Sequence, residues 1–241
     1  MRRFPREFGD LLTPRGRAVI TGKRLHGVLS DPARRFCAER GLLAERHCAA
    51  AARLLDQKLW PALTALEAPI PPETIYAQKR NYEELLPKTV RVKTAYLERR
   101  REHGFRVAED LGLVAMLRSE SFVAFCTALA GRPLRKRHGI QALCYGAGDY
   151  AGPHTDHHPE EPLARDGYVD VHLTLCTPGV AQQWLVYARR GHFSEVVDVT
   201  QQGIVTGYRL PFWHYTTPLV VQRAHARRWV LLGTFLFADA P

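Results

Sequence analysis

Two hydrophobic rhythms divide the chain. Up to about residue 130 the apolar positions recur at helical spacing, and beyond it they alternate. Residues 1–30 are rich in turn formers, with short strand-like pieces such as Arg17-Ala18-Val19-Ile20. Asp31-Pro32 has the form of a helix start, an acceptor cap followed by Pro at the first helical position. From there Phe36, Leu42, Leu43, Ala49, Leu54, Leu55 and Leu59 continue a helical pattern, with Gly41 an interruption and Pro61 a kink. Ala68-Pro69-Ile70-Pro71-Pro72-Glu73 punctuates this part, because so many Pro cannot continue a helix. Further helices are expected over residues 96–107 and from Ser119 or Ser121 to Ala130, the second closed by Gly131.

After Gly131 come roughly seven β-rich runs, at residues 140–145, 168–177, 182–188, 194–199, 204–208, 218–222 and 229–237. Val169-Asp170-Val171-His172-Leu173-Thr174-Leu175 alternates as a half-buried strand should. So many short strands in so little chain predict a sandwich or jelly roll whose sheets enclose a ligand cavity. The fold class expected is therefore α+β: a mainly helical part over residues 1–135 packed on one sheet of a jelly-roll core over residues 136–241. One domain is preferred to two, because the strands need a cover for their outer face.

Composition narrows the partners. With 46% hydrophobic residues in 241, a packed interior is expected rather than disorder. A formal charge of +10 leaves nucleic acid open as a partner, yet the basic residues are spread and no aromatic-interleaved patch accompanies them, so a solvated basic surface is the preferred reading. The five Cys, at 37, 48, 126, 144 and 176, form no C-x-x-C pair and are expected to be small buried hydrophobes. No leader is recognised and no window approaches the roughly 18 apolar residues of a membrane span, so a cytoplasmic protein without membrane contact is expected.

Chemistry concentrates in Tyr145-Gly146-Ala147-Gly148-Asp149-Tyr150-Ala151-Gly152-Pro153-His154-Thr155-Asp156. On an extended strand His154 and Asp156 leave the same face and can share one metal ion. With an imidazole from a distant strand, they would make the two-His-one-carboxylate set of non-haem Fe(II) oxygenases, whose open positions take co-substrate and dioxygen. The tripeptide alone is weak, and His158-Pro159-Glu160 offers a second His-x-carboxylate frame.

Context separates the two frames. Tyr145-x-x-Gly148-x-Tyr150 stands ahead of His154, and Arg228 precedes Trp229 at the start of the last strand. In this the chain, over roughly Gly139 to Phe237, resembles the prolyl-4-hydroxylase-like branch of the Fe(II)/2-oxoglutarate-dependent dioxygenases. The resemblance implies a double-stranded β-helix, with Fe(II), 2-oxoglutarate and O2 as cofactor and co-substrates and ascorbate as a compatible addition. It favours His154, Asp156 and His214 as metal ligands, His225 being the rival third ligand. It implies oxidation, with hydroxylation favoured, of a small molecule, an amino-acid side chain or a peptide, as 2-oxoglutarate is decarboxylated to succinate.

The co-substrate's distal carboxylate needs a buried cation, and Arg supplies a two-pronged donor. Arg228 holds the matching place, with Arg223 as second choice; Arg227, its strand neighbour, should face the other way. Tyr145 is the implied hydroxyl donor to the same carboxylate, and Gly148 the turn that aims the ligand strand. His172, Gln183, Trp184 and Tyr208 could line the mouth, with His157 and His158 at its rim. Two alternatives stay open: an AlkB-like nucleic-acid demethylase, whose second Arg and Asn are missing after Arg228, and a cupin-type metal-binding sensor without oxidation.

Overall fold

Strand formation begins earlier in the chain than the helical rhythm suggests. The computed structural model describes residues 2–31, 34–69, 89–155, 168–210 and 212–238. The early strands are β1 (Phe36–Glu39), β2 (Thr64–Pro69) and β3 (Thr89–Tyr96). The later ones are β4 (Gly139–Tyr145), β5 (Tyr150–His154), β6 (Tyr168–Cys176), β7 (Val180–Gln182), β8 (Trp184–Arg189), β9 (His192–Asp198), β10 (Val205–Arg209), β11 (His214–Thr216), β12 (Val220–Val221) and β13 (Arg228–Leu236). Helices α1 (Pro14–Ile20), α2 (Glu45–Lys58), α3 (His103–Asp110), α4 (Leu113–Leu117) and α5 (Glu120–Ala130), with short 3-10 turns at Phe8–Leu11 and Trp60–Ala62, complete the described elements.

Eleven strands form one antiparallel sheet in the order β1-β10-β6-β13-β4-β3-β5-β11-β8-β9, with β2 paired to β3, while β7 and β12 form a separate ribbon. The curl is made at β3. It gives one half of an edge, Lys93–Tyr96, to β4 and the other half, Val90 and Arg91, to β5. The two halves of the sheet therefore turn toward each other, and rings from opposite ends meet: Phe36 of β1 and Tyr187 of β8 lie 4.6 Å apart between centroids. The result is a nearly closed, jelly-roll-like barrel.

Alternation assigns the faces. Val169, Val171, Leu173 and Leu175 of β6 and Trp229, Leu231 and Phe235 of β13 join a core that also holds Leu54 and Leu55 of α2 and Phe122 and Phe125 of α5. The intervening residues face the barrel interior, where smaller clusters form around Tyr208 and Phe212 and around Tyr145 and Val230. Burying Trp229 and the Phe rings completely contributes about 1.5–3 kcal/mol each.

Several expectations need correction. Arg17–Ile20 is not strand-like but the end of α1, which starts at Pro14 with the Thr13 side chain accepting from the Gly16 amide. The helix expected from Asp31 is instead strand β1 followed by α2, with Gly41 at φ +69 in the turn between them; Pro32 itself lies outside the described residues. Residues 96–107 hold the end of β3 and the start of α3. By contrast α5 runs as expected, capped by Ser119, which accepts from the Phe122 amide, and by Gly131 at φ +69. The Pro-dense residues from Ile70 onward lie outside the description.

The absence of any membrane-length apolar run is also corrected. Leu113–Ala130 spans 18 residues at a mean hydropathy of 1.5, enough by composition to cross a bilayer. Here it is broken into α4 and α5 at Arg118 and Ser119, and its largest side chains pack on the sheet. All five Cys are free thiols, four of them buried and Cys176 intermediate.

A candidate metal and anion site inside the barrel

Strand register brings His154 and His214 together. They are direct partners in the β5–β11 pairing, and their ring centroids lie 4.4 Å apart. Each ring is oriented in the same way from behind. Nδ1 of His154 donates to the Gly152 carbonyl at 2.7 Å, and Nδ1 of His214 to the Phe212 carbonyl at 2.8 Å. A carbonyl can only accept, so each Nδ1 carries a proton, and in the neutral ring each Nε2 then holds the lone pair. This is the tautomer that metal binding through Nε2 requires. Asp156, with His157, His158 and Glu160, lies outside the described residues; among the described ones no group of three His, Cys, Asp or Glu is placed to hold a metal.

The turn before β5 is built by Gly148 and Asp149. Gly148 adopts φ +74, a conformation open to Gly. Asp149 accepts the Gly146 amide at 2.8 Å and pairs with Arg91 of β3 at 3.2 Å, and Arg91 also donates to the Gly148 carbonyl. The rival third ligand, His225, is exposed, as is Arg223, whose stem lies along Gly179.

Arg227 and Arg228 part company as neighbours on a strand do. Arg227 lies on the helix side, bonded to Asp56 of α2 at 2.6 Å and stacked 3.8 Å from the Trp60 ring. Arg228 points inward and is 3% exposed. Its Nε donates to the Val199 carbonyl at 2.9 Å, Nη1 to Gln183 Oε1 at 3.0 Å and Nη2 to Thr174 Oγ1 at 3.3 Å. Tyr145, its register partner on β4, presents its ring 5.3 Å from the guanidinium. All these acceptors are neutral. No carboxylate among the described residues reaches ion-pair distance of Arg228, so within that set this buried full charge stands without a counter-ion. That arrangement fits an anionic ligand.

No protein-family model matches the sequence, and no curated protein matches it. Solved structures do. Prolyl 4-hydroxylase from Phytophthora capsici aligns at TM-score 0.56 and 14% identity, over 98% of this chain and 67% of its own. An oxidoreductase of the 2OG-Fe(II) oxygenase family from Burkholderia pseudomallei aligns at 0.55 and 12%, over 92% and 90%. The chain has the 2OG-Fe(II) oxygenase fold. A third structure with this fold, the epimerase SnoN in complex with Fe3+, alpha ketoglutarate and nogalamycin RO, aligns at 0.52 and 12% identity, over 93% and 84%.

Within this oxygenase fold the interior flank of His214 is aromatic. Tyr208 stacks on its ring at 5.2 Å and Phe212 at 5.4 Å, and Phe36 stacks on both Tyr208 and Phe212. His172 meets the Tyr208 ring edge-on at 4.6 Å. Of the mouth candidates, Tyr208 is thus part of the packed wall, Trp184 is half-buried, and Gln183 is fully buried beside Arg228. Cys176 offers sulfur inside the barrel, but burial pushes its thiol up to about 12, with Arg228 opposing, so it stays protonated at neutral pH. Sequence reasoning missed Thr174 and Val199 as partners of Arg228. The strict alternation of β6 placed Thr174 on the inner face; nothing in the sequence marked Val199.

Proposed function

We propose that this chain is an Fe(II)- and 2-oxoglutarate-dependent oxygenase that hydroxylates or otherwise oxidises a small molecule or an amino-acid or peptide side chain. One observation carries the reading: two imidazoles with Nδ1 tied to backbone share a barrel interior with a buried guanidinium that has no counter-ion among the described residues. His154 and His214 would hold the metal through Nε2, with Asp156 as the carboxylate ligand. The bound ion would supply dioxygen activation coupled to decarboxylation of 2-oxoglutarate.

The protein's share is positioning and exclusion of water. Arg228 presents its fork to the co-substrate's distal carboxylate, and the Tyr145 ring covers the guanidinium from β4. The stacked rings of Tyr208, Phe212 and Phe36 keep water from one flank of His214, as chemistry with reactive oxygen requires. The charge of +10 attracts anionic partners without selecting one.

The test is spectroscopic. Anaerobic addition of Fe(II) and 2-oxoglutarate to the purified chain should give a visible metal-to-ligand charge-transfer band, and admitting oxygen should release succinate. A folded protein that gives neither result overturns the proposal.

A further inference from the structure

Gln183 is the residue through which the parts of this site are joined. Its side chain is wholly buried and bonded at both ends. Oε1 accepts from Arg228 Nη1 at 3.0 Å, while Nε2 donates to the Thr217 carbonyl at 2.9 Å and to the Asp149 carbonyl at 3.2 Å. The amide's orientation is determined by chemistry. Only its NH2 can face two carbonyls, and only its oxygen can face a guanidinium. Asp149 belongs to the turn that opens β5, which ends at His154, and Thr217 directly follows β11, which begins at His214.

The backbone closes the circuit. The Val199 amide donates to the Gln183 carbonyl, and the Val199 carbonyl accepts Arg228 Nε. Two routes thus lead from Gln183 to the same guanidinium, one direct through its side chain and one through Val199. A neutral amide here has a second consequence. It fixes the pose of Arg228 without neutralising it, whereas a carboxylate of the same shape would satisfy the charge internally.

We propose that Gln183 is a positioning residue for 2-oxoglutarate: it holds Arg228 in register with the two histidine-bearing strands and, by being uncharged, leaves the guanidinium's charge for the co-substrate's distal carboxylate. This rests on reading Arg228 as the anchor. Gln183→Glu keeps the shape and adds a counter-ion, and it also replaces the donor to the Thr217 and Asp149 carbonyls by an oxygen that can only accept. Affinity for 2-oxoglutarate, followed anaerobically through the charge-transfer band, should fall by about tenfold or more, the scale of one hydrogen bond to a buried charge. Mn(II) affinity, followed by electron paramagnetic resonance, should fall clearly less than 2-oxoglutarate affinity, by about threefold at most, because no metal ligand is replaced. Unchanged 2-oxoglutarate affinity overturns the proposal, and so does an equal loss for 2-oxoglutarate and Mn(II), which marks a merely structural amide. If Gln183→Glu does not fold, Gln183→Asn is measured instead. It retracts the amide from Arg228, so the same one-sided loss, about threefold or more, is expected and the same outcomes overturn it. Failure of the oxygenase reading itself shows differently, as no 2-oxoglutarate binding by the unsubstituted chain.

Discussion

His154 and His214 face one another across the β5–β11 pairing, ring centroids 4.4 Å apart, each steadied by the carbonyl two residues before it. Neither ring needs to swing far to share an ion. His214→Ala is expected to weaken Fe(II) binding by more than the 10–100-fold typical of losing an outer partner. His154→Ala should abolish turnover. Calorimetric metal titration together with circular dichroism checks both, and normal turnover by a folded His154→Ala protein rules out this ligand assignment.

Arg228 and Arg227 should separate cleanly in experiment. Arg228→Met removes a buried charge from its proposed ligand, a loss of about 2–5 kcal/mol, so the 2-oxoglutarate requirement should rise roughly 30-fold or more. Arg227→Ala loses the Asp56 pair, the Trp60 stack and an exposed bond to the His225 carbonyl, costing about 1 kcal/mol of stability and leaving the co-substrate KM unchanged. Initial rates against 2-oxoglutarate and a urea titration decide between these outcomes.

Acid should loosen the sheet near His138. Both of its ring nitrogens meet carbonyls, of Lys136 at 2.8 Å and Leu117 at 2.9 Å, and the ring stacks on Phe235 at 4.1 Å. Burial lowers its pKa from the ordinary 6.5, and the two carbonyls oppose this without reversing it. The unfolded chain therefore takes up a proton that the folded one resists, so stability is lost as pH falls below about 6.5 toward the lowered value. Between about pH 7.5 and about pH 5 the thermal midpoint should drop less in His138→Gln than in the parent.

Gly233 of β13 lies directly beneath Phe122 of α5. A Cβ there would meet ring atoms of Phe122 and of Phe235, each at 2.8 Å. Gly233→Ala should destabilise by about 1–3 kcal/mol with little change in metal affinity. Chemical denaturation alongside metal titration would show whether the two effects stay apart.

Much of the architecture was legible because alternation is a strong signal where one face is buried. Most strands after Gly131 and the opposite facing of Arg227 and Arg228 follow from it, the ends of α5 follow from the Ser119 and Gly131 caps, and the short β5, β7 and β11 were not among the expected runs. The early strands were hidden for a physical reason. Phe36-Cys37-Ala38-Glu39 is too short to show a period, and the spacing of Phe36, Leu42 and Leu43 also fits a helix. Arg17–Ile20 read as strand on its branched residues, but the Thr13 cap ahead of Pro14 decides its conformation. At the site, His214 and Arg228 were picked out by resemblance rather than by pattern. Gln183 could be named only as a possible lining residue, since no sequence rule says which buried amide will meet which guanidinium.

The pairing of β13 with both β4 and β6 has an evolutionary corollary. On this strand alternate positions serve different masters: Trp229 and Leu231 the helices, Arg228 and Val230 the cavity. Inserting or deleting one codon there would turn the ribbon over, driving a guanidinium into oil and an indole into the anion's seat. Drift along this stretch is thus confined to exchanges that preserve the count.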